Sequence, residues 1–188
     1  MQELIKQVRE GKYRAKLTRR QYIPKPGTNK QRPLGIAATS DKLLQKVVAR
    51  ILEAIYEQDF LPSSYGYRPN RGPQDAVRDL TRELQFGPYN FIVEADIRSY
   101  FDTIQHSLLL DMLKQRINDK PFLRLIEKWL KAGILDTDGK IIDPETGVPQ
   151  GGIISPIASN VYLHHALDLW FEETVKKHCK GISDQVRR

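Results

Sequence analysis

The stretch Phe91-Ile-Val-Glu-Ala-Asp-Ile-Arg-Ser-Tyr-Phe-Asp102 constrains this chain more than any other. It begins as an apolar run and ends in carboxylates and aromatics. Phe91 to Ala95 reads as a mostly buried strand, interrupted only by Glu94. Asp96 then falls at the strand end, and two readings of it stand. A rigid strand can deliver a carboxylate to a hard metal ion, because Mg²⁺ takes oxygen ligands in strict geometry and often only one or two from protein. Equally, a strand-end Asp can cap the helix that follows.

A chain of 188 residues is one domain, or two closely joined subdomains, with length enough for a real core. Its 40% hydrophobic content is ordinary for a soluble globular chain. No apolar run is long enough to span a bilayer, which argues against a membrane partner, and Met1 opens no secretory signal. The single cysteine, Cys179, excludes an internal disulfide framework and fits a reducing cytoplasm.

The net charge is +7, and its placement says more than its size. Residues 1–36 hold ten Lys and Arg against Glu3 and Glu10, a local charge of +8, so the remaining residues sum to −1. A basic block of this kind, centred on Lys12, Arg14, Lys16, Arg19 and Arg20, suits a polyanion, since phosphate contacts supply most sequence-independent affinity for nucleic acid. The alternative is a solvated face or a basic arm.

Residues 2–10 read as a short helix stopped by Gly11. Gln21 to Lys25 and Arg32 to Ala37 read as two strands around the turn Pro26-Gly-Thr-Asn-Lys30. Lys25 and Arg32 then flank the turn, either as a triphosphate clamp or as plain hairpin charges. Thr39-Ser-Asp41 offers caps for a helix over 41–57, whose stripe Leu43, Leu44, Val47, Val48, Ile51, Leu52 and Ile55 is expected in the core. The loop Phe60 to Pro73 is long, with Pro, Gly, Tyr65, Tyr67, Arg68 and Arg71. Its aromatics and arginines suit stacking and phosphate contacts, or simply packing.

Pro73 starts a helix to about Leu84. Helices follow over His106 to Ile117 and Phe122 to Ala132, with Lys120-Pro121 and Gly133 as stops. Asp138-Gly139 marks a second hairpin between Ile134 and Ile142. Gln150-Gly151-Gly152 precedes a helix capped by Ser155 and running to about His178. The two glycines permit close approach of another backbone or a base pair, and Gln150 can set its amide there. His164, His165 and His178 lack zinc-ligand spacing and read as structural or surface residues.

Six segments in order resemble the reverse transcriptase domain encoded by bacterial group II introns. They are Ile23-Pro-Lys-Pro-Gly27, Arg32-Pro-Leu-Gly-Ile36, Ser64-Tyr-Gly-Tyr-Arg-Pro69, Asp96-Ile-Arg-Ser-Tyr-Phe-Asp102, Pro149-Gln-Gly-Gly-Ile-Ile-Ser-Pro156 and Asn160-Val-Tyr-Leu163. The resemblance implies an α+β right-hand polymerase, helix-rich with small antiparallel sheets. Residues 1–87 would be fingers and 88–188 part of the palm. Asp96 would hold two Mg²⁺ ions, with the Ile97 carbonyl on one of them. Lys25 and Arg32 would grip the triphosphate, Tyr100 or Phe101 would wall the sugar pocket, and Gln150 would line the nucleotide site. Arg68, Arg71, Gly151 and Gly152 join the basic block as expected nucleic-acid contacts. RNA template, intron RNA, DNA primer and deoxynucleoside triphosphate are the implied partners.

The family's second metal-binding element, a Tyr-Ala-Asp-Asp hairpin, is not in this sequence. The resemblance therefore implies a truncated piece that does not polymerise DNA alone, or that works as an intron RNA-binding maturase module without polymerase chemistry. A palm without its last hairpin would leave a sheet edge open, which suggests a homodimer.

Overall fold

Two tight turns set the sheet. Gly27 (φ +73°) and Gly139 (φ +85°) adopt the left-handed backbone that a Cβ disfavours. The computed structural model describes residues 2–87, 89 and 92–178. Strand β1 (Thr18–Pro24) pairs antiparallel with β2 (Gln31–Ile36), from Arg19 opposite Ile36 to Pro24 opposite Gln31. Strands β3 (Ile134–Leu135) and β4 (Ile141–Ile142) form the second hairpin.

The hairpins were expected as separate antiparallel sheets; instead they share one. β3 runs parallel to β1, with Thr18 opposite Ile134, giving a four-stranded mixed sheet in the order β2-β1-β3-β4. The join is made at the strand starts, where the Thr18 N–H donates to the Gly133 carbonyl at 2.9 Å. Side chains extend it: Arg20 donates to Asp136 at 3.0 Å and the Tyr22 hydroxyl donates to the same oxygen at 3.3 Å.

Helix α1 (Gln2–Arg9) ends at Gly11, as the sequence implies. Helix α2 (Thr39–Tyr56) buries Val48, Ala49, Leu52 and Tyr56. Its apolar stripe is wider than its contact face: Leu43, Val47 and Ile51 are 46%, 59% and 43% exposed. Its N-cap is Ala38, without a side-chain cap. Asp41 is instead buried and accepts the Lys16 N–H at 2.9 Å, pinning the N-terminal segment to α2.

Helices α3 (Pro73–Phe86), α4 (Tyr100–Thr103), α5 (His106–Lys114), α6 (Lys120–Leu130) and α7 (Ser155–Leu163) follow. Pro121 lies in the first turn of α6 rather than stopping a helix, and the Asp119 side chain caps it by accepting the Phe122 N–H at 2.9 Å. The N-cap of α7 is Ile154, and Ser155 Oγ donates to the Pro149 carbonyl at 2.8 Å. Past α7 the helix continues through two π-helical turns, His164–Asp168 and Phe171–Val175. One buried cluster joins Tyr13, α2, α5, α6 and α7, so the first and second halves of the chain share a core.

The expected strand over Phe91 to Ala95 does not form. Phe91 lies outside the described residues; Ile92 to Ala95 are irregular and exposed, Val93 by 93%. A strand exists by its ladder, and among the described residues nothing pairs with this segment. The homodimer expected through an open edge here loses its basis for the same reason.

Candidate nucleotide and nucleic-acid site

A strap of backbone, Thr146 to Gly152, ties the site together. At one end it lies on the α4 turn. The Gly147 N–H donates to the Ile104 carbonyl and the Val148 N–H to the Phe101 carbonyl, both at 2.7 Å. The Thr146 hydroxyl donates to the Asp102 carbonyl at 3.1 Å. Gly147 (φ +88°) is required, since a Cβ there would stand 3.0 Å from the carbonyl oxygens of Phe101 and Asp102. Buried His106 fixes the strap from below, its Nε2 2.7 Å from the Gly147 carbonyl oxygen.

At the other end the strap crosses the free edge of β2. The Gly35 N–H donates to the Gln150 carbonyl at 2.6 Å. A Cβ on Gly35 would meet Pro149 Cβ at 2.8 Å, while one on Gly151 (φ +91°) would clash with Leu34 Cδ1. Successive β2 residues face opposite ways, so the strap clasps the strand from both faces. Arg32 shares the Leu34 face with its cross-strand partner Ile23, and Lys25 is two residues beyond Ile23. Both cations are exposed. Arg32, Lys25, Gln150 and the Tyr100-Phe101 turn are therefore linked by consecutive hydrogen-bonded segments.

The two candidate sugar-wall residues differ. The Tyr100 hydroxyl donates to the Ser159 carbonyl at 2.6 Å, and its ring packs against Tyr162 with centroids 6.5 Å apart. Burial raises its phenol above the ordinary tyrosine range. Tyr100 is thus held by α7. Phe101 stands edge-on to it, centroids 5.6 Å apart, and is half-buried.

Asp96 and Ile97 are exposed. The residue capping α4 is Ser99, in the left-handed region at φ +52° and with no side-chain cap, so Asp96 is not that helix's cap. Among the described residues no group of three Asp, Glu, His or Cys side chains lies close enough to hold a metal. One carboxylate and one backbone carbonyl would not by themselves complete a Mg²⁺ shell.

A family profile described as "Reverse transcriptase (RNA-dependent DNA polymerase)" matches residues 23–181. The chain belongs to the reverse transcriptase family. Within it, several relatives are named for introns. The group II intron-encoded protein LtrA of Lactococcus lactis subsp. cremoris is 41% identical over 164 residues, which cover 87% of this chain and 27% of LtrA. Protein YkfC of Escherichia coli (strain K12) is 40% identical over 87% of this chain and 43% of its own. This reverse transcriptase domain thus spans less than half the length of either. Among solved structures, the partial Cas6-RT-Cas1--Cas2 complex matches at TM-score 0.55 and 30% identity, over 92% of this chain and 28% of that one. The fold is the mixed α/β reverse transcriptase fold, and no described helix is long and apolar enough to cross a membrane.

Several cations of this reverse transcriptase domain are engaged by the protein's own groups. Arg68 is 7% exposed. Its Nε and Nη2 fork onto Glu57 at 3.0 and 2.9 Å, its Nη1 donates to the carbonyls of Leu61 and Ser64 at 2.7 and 2.8 Å, and it stacks over Phe60. Arg68 builds the loop. Arg71 donates to the Pro62 carbonyl at 2.6 Å and lies over Tyr65, whose hydroxyl is held by Asp79 at 2.7 Å. Arg20 is committed to Asp136. Lys12, Arg14, Lys16 and Arg19 are exposed. Gly152 is buried, where a Cβ would meet Ser155 Oγ at 2.6 Å, so its missing side chain serves the protein's own packing. Asn160, which the sequence resemblance includes without a role, donates to the Gly66 carbonyl at 2.7 Å and so fastens the Phe60–Pro73 loop to α7.

Proposed function

We propose that this chain is the nucleotide-holding part of a group II intron reverse transcriptase that copies RNA into DNA, with residues 1–87 as fingers and 88–188 as part of the palm. The observation that carries this reading is the Thr146–Gly152 strap, which couples the Phe101 turn to the strand bearing Arg32. Arg32 presents a planar fork and Lys25 a point charge to the triphosphate of an incoming nucleotide. Phe101 walls the sugar, because Tyr100 is committed to α7. Gln150 sits where the strap passes between these groups.

Asp96 and the Ile97 carbonyl would supply part of the Mg²⁺ site. When bound, magnesium steadies triphosphate charge and lowers the pKa of a primer hydroxyl. A single carboxylate holds divalent ions weakly, so the 188-residue polypeptide alone is expected not to extend a primer.

The test is nucleotide affinity. A fluorescent deoxynucleoside triphosphate should bind the chain, and Lys25→Ala with Arg32→Ala should weaken it at least about tenfold, as loss of two charge-assisted contacts implies. Binding that ignores both substitutions would refute this site. RNA holding without polymerisation, the maturase role, is favoured as a second reading by the basic surface of Lys12, Arg14, Arg124 and Lys131.

A further inference from the structure

We infer that the chain grips the phosphodiester backbone of RNA in a groove formed by residues 11–15 and helix α6, a surface separate from the nucleotide-site residues. This rests on the RNA-binding reading above and names where it happens.

The groove encloses about 690 Å³ and is lined by Lys12 and Arg14 from the N-terminal segment and by Arg124, Lys128 and Lys131 from the α6 side, with Glu127 among them. The α6 cations recur at i, i+4 and i+7, one face of a helix, while Leu123, Ile126, Trp129 and Leu130 bury the other. They span about 10 Å along the axis at the helical rise.

The wall opposite is fixed in place. Lys128 Nζ donates to the carbonyls of Gly11 and Tyr13 at 3.2 and 2.7 Å, and Trp129 Nε1 donates to the Tyr13 hydroxyl at 2.8 Å. Tyr13 is 3% exposed. A groove already assembled loses little conformational freedom when a ligand enters.

Its charge selects the ligand. Lys12 pairs with Glu10 and Lys131 with Glu127, both at the surface. Exposed pairs of this kind contribute little, so a phosphate can displace them. Arg14 and Arg124 are exposed, and guanidinium forks suit phosphate oxygens. The lining offers only Gly11, Tyr13, Ala15, Ala132 and Gly133 besides charge, and Tyr13 is buried, so it lacks the apolar anchor that a bound peptide needs. Sequence charge alone pointed to residues 12–20; the fold sets Lys12 and Arg14 of that block against α6 and pairs Arg20 with Asp136 instead.

The experiment measures affinity for a fluorescein-labelled single-stranded RNA against salt. Each phosphate contact on a single strand adds about 0.7 to the slope of log K on log[salt]. The triple variant Arg14→Gln/Arg124→Gln/Lys131→Gln should therefore lose about 2 from that slope. An equal charge removal on α2, Lys42→Gln/Lys46→Gln/Arg50→Gln, should leave it near wild type, and the charge-keeping Arg14→Lys/Arg124→Lys should retain it. An unchanged slope in the groove triple, with wild type still binding, overturns the groove and leaves the RNA-binding reading intact. No salt-sensitive binding by wild type overturns both. Displacement of the RNA by polyglutamate as readily as by unlabelled RNA would reassign the groove to acidic protein.

Discussion

The Gly35 N–H donates to the Gln150 carbonyl at 2.6 Å, so the open edge of β2 is closed by the loop that carries the expected nucleotide-site glutamine. An edge strand leaves unpaired backbone groups, and here one of them positions a functional segment.

That clasp makes Gly151 sensitive. Its φ of +91° is strained for any L side chain, and a Cβ would run into Leu34. Gly151→Ala should cost about 2 kcal/mol, from backbone strain plus a forced shift of Leu34. Because the strap also carries Gln150, nucleotide affinity should fall with stability. Denaturant unfolding beside nucleotide titration checks both, and an unchanged midpoint would show that the strap does not depend on this contact.

Arg68 should behave as a structural residue. Its guanidinium is nearly sealed from water, while the Glu57 side chain keeps 25% exposure, which softens the penalty of leaving that carboxylate alone. Arg68→Met should cost about 2–3 kcal/mol. Arg68→Lys should recover little, because an ammonium cannot reproduce the fork to Glu57 together with the bonds to Leu61 and Ser64. The RNA salt slope should not move in either variant. A lower slope with normal stability would return Arg68 to the nucleic-acid contacts.

The parts of the fold legible in the sequence are those decided locally. Gly27 and Gly139 mark both hairpins, and 3.6-residue periodicity marks α2, because backbone conformation and amphipathic burial act over neighbouring residues. What depends on distant partners was not legible. Ile92 and Val93 have strand-like side chains, but a strand needs a ladder that no nearby residue announces. Leu43, Val47 and Ile51 share the apolar stripe of Val48 and Leu52, yet face outward. Arg68 looks like any loop cation until Glu57, eleven positions earlier, is brought against it. The α6 cations meet Lys12 and Arg14 only because Lys128 reaches more than a hundred residues back to Gly11 and Tyr13.

The link between the two hairpins should be acid-sensitive. The Thr137 backbone N–H, and then the Arg20 guanidinium, hold the Asp136 carboxyl below its ordinary range. A folded-state value below the unfolded one means that the ion pair adds stability above the unfolded value. That stability fades as pH falls through the folded value. Wild type should therefore melt above Asp136→Asn at neutral pH, and the gap should narrow below about pH 4, where an unfolded aspartate begins to protonate. Thermal melts of both proteins across that range test it; a gap independent of pH would mean that the carboxylate charge is not what joins Asp136 to Arg20.

Asp96 offers the cleanest separation of function from folding. As a helix cap it would cost about 1 kcal/mol to replace. The cap position of α4 belongs to Ser99, and Asp96 is exposed. Asp96→Asn should therefore change stability by less than about 0.5 kcal/mol, the usual range for a surface substitution. In a metal-ligand role the same change removes the negative charge that draws Mg²⁺ toward the triphosphate. The predicted pattern is an unaltered unfolding midpoint, together with loss of any magnesium-dependent gain in nucleotide affinity. A lowered midpoint would restore the capping role, and a magnesium response that survives Asp96→Asn would take this carboxylate out of the metal site.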